Sequence, residues 1–254
     1  MNLKMRQLAI IFAFLTCGLI PIDAQKSARE IVQIADDRGR GVVSSQGVMK
    51  MTIIRPTWQR EITMKSWSKG TEYSLTLVTS PARDKGSAFL KREGEIWNWQ
   101  PSIDRSIKLP PSMMMQSWMG SDFTNDDLVR ESSIVKDYDH ALIGEEEVQG
   151  RLCHVIELIP KPDAPVVWGK VITRIDQKDY LQLKTEFFDE DGYLVNTMLG
   201  KEVVELGGRL LPSRLEMIPA EEEGKKTVVE QLELVFDEPI KDSFFSIQSM
   251  KQVR

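Results

Sequence analysis

The chain has 254 residues, 41% of them apolar and 28% charged, the balance of an ordinary globular protein with material for a sizeable core. Its 33 basic and 38 acidic residues leave a formal charge of −5 and are mixed along the chain. There is no basic face or tail of the kind nucleic-acid binding requires, so no nucleic-acid partner is expected.

The first two dozen residues form a separate object. Lys4 and Arg6 give a positive start, Leu8 to Leu15 is a nearly pure apolar run extending to Ile20, and Ala24 offers a small residue for cleavage. This predicts a signal peptide over 1–24, cleaved, and a mature domain over 25–254. An uncleaved anchor would need about 20 apolar residues, more than the run supplies. A lipoprotein signal at Cys17 would need a small residue where Phe14-Leu15-Thr16 stands. Losing Cys17 leaves Cys153 alone, without an internal disulfide in an oxidising compartment. Cys153 lies in a strand pattern, which predicts a buried, inert thiol. The expected location is the periplasm, with the protein soluble or peripherally attached to a membrane.

Ser27 to Asp37 places Ile31, Ile34 and Ala35 at helical spacing and ends at Gly39, one amphipathic helix. The period then changes to two. Val48–Ile53, Ile62–Trp67 and Tyr73–Leu77 alternate apolar and polar residues, as strands with one buried face do. Ala88–Arg92 and Ile96–Gln100 follow as a tight hairpin across Glu93-Gly94-Glu95, and Arg105–Leu109 is a further short strand.

Pro110-Pro111 interrupts the sheet pattern. Four of the chain's twelve methionines, with Trp118, then fall between Met113 and Met119 in a short helix or ordered loop. Thr124 and Asp127 have capping-box spacing and predict a second short helix over Asn125–Ser132. Strands return over Ala141–Val148, Arg151–Ile159, Val166–Asp176, Leu181–Phe188, Tyr193–Leu206, Leu210–Ile218 and Thr227–Phe236. So many strands with adjacent connections predict a mostly β, single-domain fold with few helices: one curved antiparallel sheet or open barrel.

No catalytic constellation emerges, and the reading is of a non-enzyme without cofactor or metal, with an envelope hydrolase as the least favoured alternative. Of the two histidines, His140 has no second His or Cys nearby to complete a metal site, and His154 alternates along a strand. Asp122, Asp126, Asp127 and Glu131 lack the order of a calcium loop and suit a helix N-terminus. There is no nucleophile elbow and no phosphate-cradling glycine motif.

The concave face of such a sheet must be covered, and the helices are few. A lined apolar cavity follows. Methionine adapts to variable apolar shapes, so the segment at Met113–Met119 reads equally as a flexible cover for an acyl chain or as a plug for the core.

Glu95 to Ser132, EIWNWQPSIDRSIKLPPSMMMQSWMGSDFTNDDLVRES, resembles the central segment of outer-membrane lipoprotein-sorting proteins of the LolA-like family. The likeness rests most on Trp97, Trp99, Pro101, Arg105, Ile107, Lys108, Met114 and the run Trp118-Met119-Gly120-Ser121-Asp122-Phe123, and extends over nearly all of the mature chain. The chain is longer than the periplasmic carriers and differs from them in its N-terminal half. The resemblance implies a half-open β-barrel with helices covering its concave apolar face, and a monomer that carries lipoproteins or acyl lipids. It also implies an inner-membrane ABC transporter permease as partner. The same fold serves lipid carriers and envelope-stress sensors. The residues expected to line or gate the cavity are Trp97, Trp99, Met113, Met114, Met115, Trp118, Met119 and Phe123, with Trp58 and Trp67 as weaker candidates.

Overall fold

The alternating runs pair into one sheet. The computed structural model describes residues 26–40, 43–129, 133–164 and 166–253, so the predicted signal peptide lies outside the described residues. Thirteen strands run in chain order: β1 (Ser44–Arg55), β2 (Trp58–Lys69), β3 (Tyr73–Ser80), β4 (Ala88–Arg92), β5 (Glu95–Gln100) and β6 (Arg105–Leu109), then β7 (Tyr138–Val148), β8 (Arg151–Pro160), β9 (Lys170–Asp176), β10 (Gln182–Phe188), β11 (Leu194–Leu206), β12 (Arg209–Pro219) and β13 (Lys226–Phe236). Spatially the order is β6-β5-β4-β3-β2-β1-β13-β12-β11-β10-β9-β8-β7. Two antiparallel meanders are thus stitched together by the first and last strands, and β6 and β7 stay apart as open edges. This is the expected open, unclosed half-barrel.

Local chemistry sets the connections. At Glu93-Gly94, Gln149-Gly150 and Gly207-Gly208 both central residues have positive φ. That backbone matches the twist of the strands it joins, and glycine at its second position adopts it without strain.

Helix α1 (Ala28–Arg40) begins with a capping box: Ser27 Oγ accepts from the Glu30 N–H at 3.3 Å, and the Glu30 carboxylate accepts from the Ser27 N–H at 2.8 Å. The helix passes through Gly39, one turn beyond the sequence expectation, so that Arg40 belongs to it. It buries Ile31, Val32 and Ala35 against Tyr138, Leu158, Val171, Phe187 and Met217 of the second meander. Each of the two larger aliphatic side chains contributes about 1.5–3 kcal/mol by leaving water.

The first meander is covered differently on its two faces. Strand β4 is buried on both sides because Phe89 faces the concave side, while Ala88 and Leu90 face the convex side. The convex cover is a short C-terminal helix, α3 (Ile247–Gln252), capped by Ser246, whose Phe245 and Met250 neighbours sit on Leu75, Leu77, Leu90 and Trp99. The sequence reading had no element there. The second predicted helix is present as α2 (Asn125–Val129); the rest of its predicted span, 130–132, lies outside the described residues. Strands β1 and β2 each begin four residues earlier than their apolar alternation, because the ladder Ser44↔Lys69 through Arg55↔Trp58 continues into polar sequence.

Candidate functional site

The methionine-rich stretch is an ordered loop made of short helical turns, not a long helix. It folds on itself: the Trp118 N–H donates to Phe123 O at 2.8 Å, the Asn125 N–H to Gln116 O at 2.9 Å, and Asn125 Nδ2 to Met113 O at 2.9 Å. The expected Thr124–Asp127 capping box forms, with the Thr124 N–H to Asp127 Oδ2 at 2.8 Å and the Asp127 N–H to Thr124 Oγ1 at 3.1 Å.

The loop is fastened to the sheet by charge. Arg55 of β1 donates to both carboxylate oxygens of Asp122 at 3.0 Å and to Gly120 O at 3.0 Å, and Thr227 Oγ1 of β13 donates to Asp122 Oδ2 at 2.6 Å. Arg60 of β2 reaches Met119 O at 3.3 Å. A two-pronged arginine–carboxylate pair fixes orientation as well as position. Asp122, expected at a helix N-terminus, is instead the anchor of this clamp.

The sequence-predicted site residues divide into four groups, Phe123 being one by itself. Met114 and Trp118 are buried under the loop against Met51, Ile53, Met64 and Phe89, with Met113 and Met119 partly buried beside them. The Trp118 ring meets Phe89 edge-on at 5.3 Å. Trp97 and Trp99, with Trp67, lie on the opposite face of the sheet, packed with Phe244, Phe245 and Met250. Met115 is 60% exposed and Trp58 50% exposed, the latter under the Arg55 guanidinium.

Phe123 alone of that set lines the principal cavity, a space of about 330 Å³ between α1 and the concave face of β8–β13. Its apolar wall comes from Leu158, Val171, Phe187, Met198, Leu215 and Met217, and α1 supplies its rim at Ala35, Asp36, Arg38, Gly39 and Arg40. These strand residues were visible in the sequence as members of alternating runs. Nothing in the alternation distinguished the stretch left uncovered from the stretch that is packed.

The titratable groups that line the cavity are Asp36, Arg38, Arg40, Asp126, Asp127 and Tyr180. Burial pushes the Asp127 carboxyl up to about 6, against the hydrogen bonds from Thr124 that favour its charge. Burial also raises the Tyr138 hydroxyl, helped by Asp126, Asp137 and Asp127. The His140 imidazole is lowered by burial, with its Nε2 2.7 Å from Ile134 O. Burial lifts the Cys153 thiol to about 11, and its sulfur is buried in the β8 core. Among the described residues no group of three or more His, Cys, Asp and Glu is placed to hold a metal ion. None of their helices is long and apolar enough to cross a membrane.

An open antiparallel half-barrel with a helix-rimmed apolar cavity is the LolA-like fold, and solved structures share it. A LolA superfamily protein of Nitrosomonas europaea superposes with a TM-score of 0.77 at 24% identity, over 88% of this chain and 99% of its own. A DUF1329 family protein of Desulfovibrio piger gives 0.77 at 22% identity over 88% and 98%. A Vibrio parahaemolyticus domain described as an outer membrane lipoprotein-sorting protein gives 0.77 at 23% identity over 89% and 100%. The chain itself belongs to the protein family whose model carries the description "Uncharacterized protein" and matches residues 70–252. No curated protein matches it.

Proposed function

We propose that this protein is a non-enzymatic carrier of the cell envelope that shields the acyl part of a lipoprotein or lipid from water. The observation that carries the reading is the cavity between α1 and β8–β13, walled by Leu158, Val171, Phe187, Met198, Leu215 and Met217. An acyl chain needs only such a wall. Burial at about 0.8 kcal/mol per methylene gives a chain of twelve on the order of 10 kcal/mol before ordering costs. The volume lies at the lower end of the roughly 300–1,000 Å³ typical of ligand pockets, so the closed form suits one short chain.

Larger cargo requires more room, and the loop at Met113–Phe123 is the element whose displacement would supply it. Lifting it would uncover Met51, Ile53, Met64 and Phe89, continuing the apolar wall. Release then follows affinity difference: cargo leaves when an acceptor offers a better apolar site. The signal peptide over 1–24, the domain over 25–254, periplasmic action as a monomer and handover from an ABC permease complete the proposal. They are supported by the leader-like sequence and the family resemblance.

Extraction and mass spectrometry of the purified protein test the reading. Acyl lipid near one equivalent is the expected result. A lipid-free protein that also fails to take up a fluorescent fatty acid would contradict it, and would favour a signalling or scaffold role for the same fold.

A further inference from the structure

The concave face changes chemistry along its strands. On β2 the inward series runs Ile62, Met64, then Ser66, Ser68. On β1, Met51 and Met49 pair with Ile62 and Met64, and Gly47 and Ser45 pair with Ser66 and Ser68. On β3, Val78 pairs with Met64, while Thr76 and Ser74 pair with Ser66 and Ser68. The apolar half lies under the methionine-rich loop. The hydroxyl half faces a second cavity of about 130 Å³, lined by Ser45, Ser66, Ser68, Thr71, Ser74 and Thr76. Its lining also holds Arg40 and Lys91 and, among the described residues, no Asp or Glu.

The two cavities meet at Gly39, Arg40, Gln231 and Leu234, which line both. Arg40 is only 9% exposed. Its Nη2 donates to Asp36 Oδ1 at 2.9 Å, and its Nε–H is buried without an acceptor among the described residues. A guanidinium presents five donors, and a buried donor left unpaired is costly, so the side chain calls for a further acceptor. Gly47 keeps the junction as it is: a Cβ there would fall 2.6 Å from Gln231 Nε2 and 2.3 Å from Glu233 O.

Resting on the carrier reading, we propose that the cargo bears an anionic head, a carboxylate or a phosphate monoester. Arg40 binds it at the junction, the hydroxyl-lined cavity surrounds it, and the acyl tail lies in the larger apolar cavity. Serine and threonine hydroxyls can donate to several anion oxygens at once, and the guanidinium matches either head geometrically. Asp36 engages Nη2 of Arg40, which leaves the unpartnered Nε–H for the head.

Calorimetric titration of the mature full-length protein at pH 7.5 with dodecanoate, dodecyl phosphate, dodecanol and inorganic phosphate alone tests this. The expected result is that at least one anionic chain binds on the order of tenfold or more tighter than dodecanol. The tighter of the two identifies the head, and inorganic phosphate alone does not bind measurably. In Arg40→Gln the preference for the anionic chains over dodecanol disappears. Equal affinities in the unsubstituted protein overturn the anionic head and leave the carrier reading standing. Binding of none of the three chains removes the carrier reading itself. Tight binding of inorganic phosphate alone overturns the amphiphile and indicates a phosphate site. A preference that survives Arg40→Gln overturns the role of Arg40. The comparison in the unsubstituted protein decides the matter even where that variant is unstable, and Ser66→Val, which keeps Arg40, is expected to weaken the anionic chains relative to dodecanol.

Discussion

Trp118→Ala separates a residue that closes the sheet from one that touches cargo. The indole is 1% exposed, packed edge-on against Phe89 at 5.3 Å and seated among Met51, Ile53, Met64 and Met114. It does not line the cavity beneath α1. Truncating a buried tryptophan costs about 3–5 kcal/mol, the lost transfer energy plus the void left behind. In a domain of this size each kcal/mol lowers the melting temperature by about 2–4 °C, so a fall on the order of 10 °C is expected in a thermal melt followed by circular dichroism. Fatty-acid affinity measured well below that transition should change by less than about twofold. Met217→Trp is the converse case. It intrudes on the cavity wall, costs about 1–3 kcal/mol by overpacking and should abolish uptake. Unchanged stability with lost uptake in Trp118→Ala would refute this division of labour and place the loop in direct contact with cargo.

Asp127 gives a pH signature. Its carboxyl rises from 3.8 to about 6 on folding, so the folded state holds the proton more tightly than the unfolded one. Its contribution to stability is therefore greatest below about pH 4 and is lost as the pH rises through 6, roughly 3 kcal/mol at about 1.4 kcal/mol per pH unit. Asp127→Asn should be more stable than the unsubstituted protein in urea titrations at pH 7.5, with the difference shrinking towards pH 4; a constant difference would be the wrong outcome. On the convex side, Phe245→Ala should detach α3 and cost about 3–5 kcal/mol, read as faster amide exchange in β3 and β4. No change in exchange there would show that α3 does not hold those strands.

The strands were legible because one face of most of them is wetter than the other, so period two survives from Val48–Ile53 to Thr227–Phe236. Their polar beginnings were not: Ser44 to Gly47 join β1 only because Ser66 to Lys69 stand opposite. Helix α3 is not legible in the sequence because six residues are too few to show a helical period, and its Met250 and the preceding Phe245 acquire meaning only against Leu75 and Leu90. Alternation also placed Trp97 and Trp99 on the face opposite Ile96 without saying which face is concave. The methionines stood out by composition, yet the cavity is walled by common strand residues such as Val171 and Leu215. Which part of a sheet is left uncovered depends on where α1 and the loop come to rest, and that is decided by long-range contacts such as Arg55 with Asp122.

The central claim is that an acyl chain occupies the cavity beneath α1. A crystal structure of the complex with 12-bromododecanoate locates the chain end by the anomalous signal of its bromine. The peak is predicted in contact with the wall formed by Leu158, Val171, Phe187 and Met217. A peak on the convex face beside Trp97 and Trp99, or none in crystals of a protein saturated with the ligand, would contradict it.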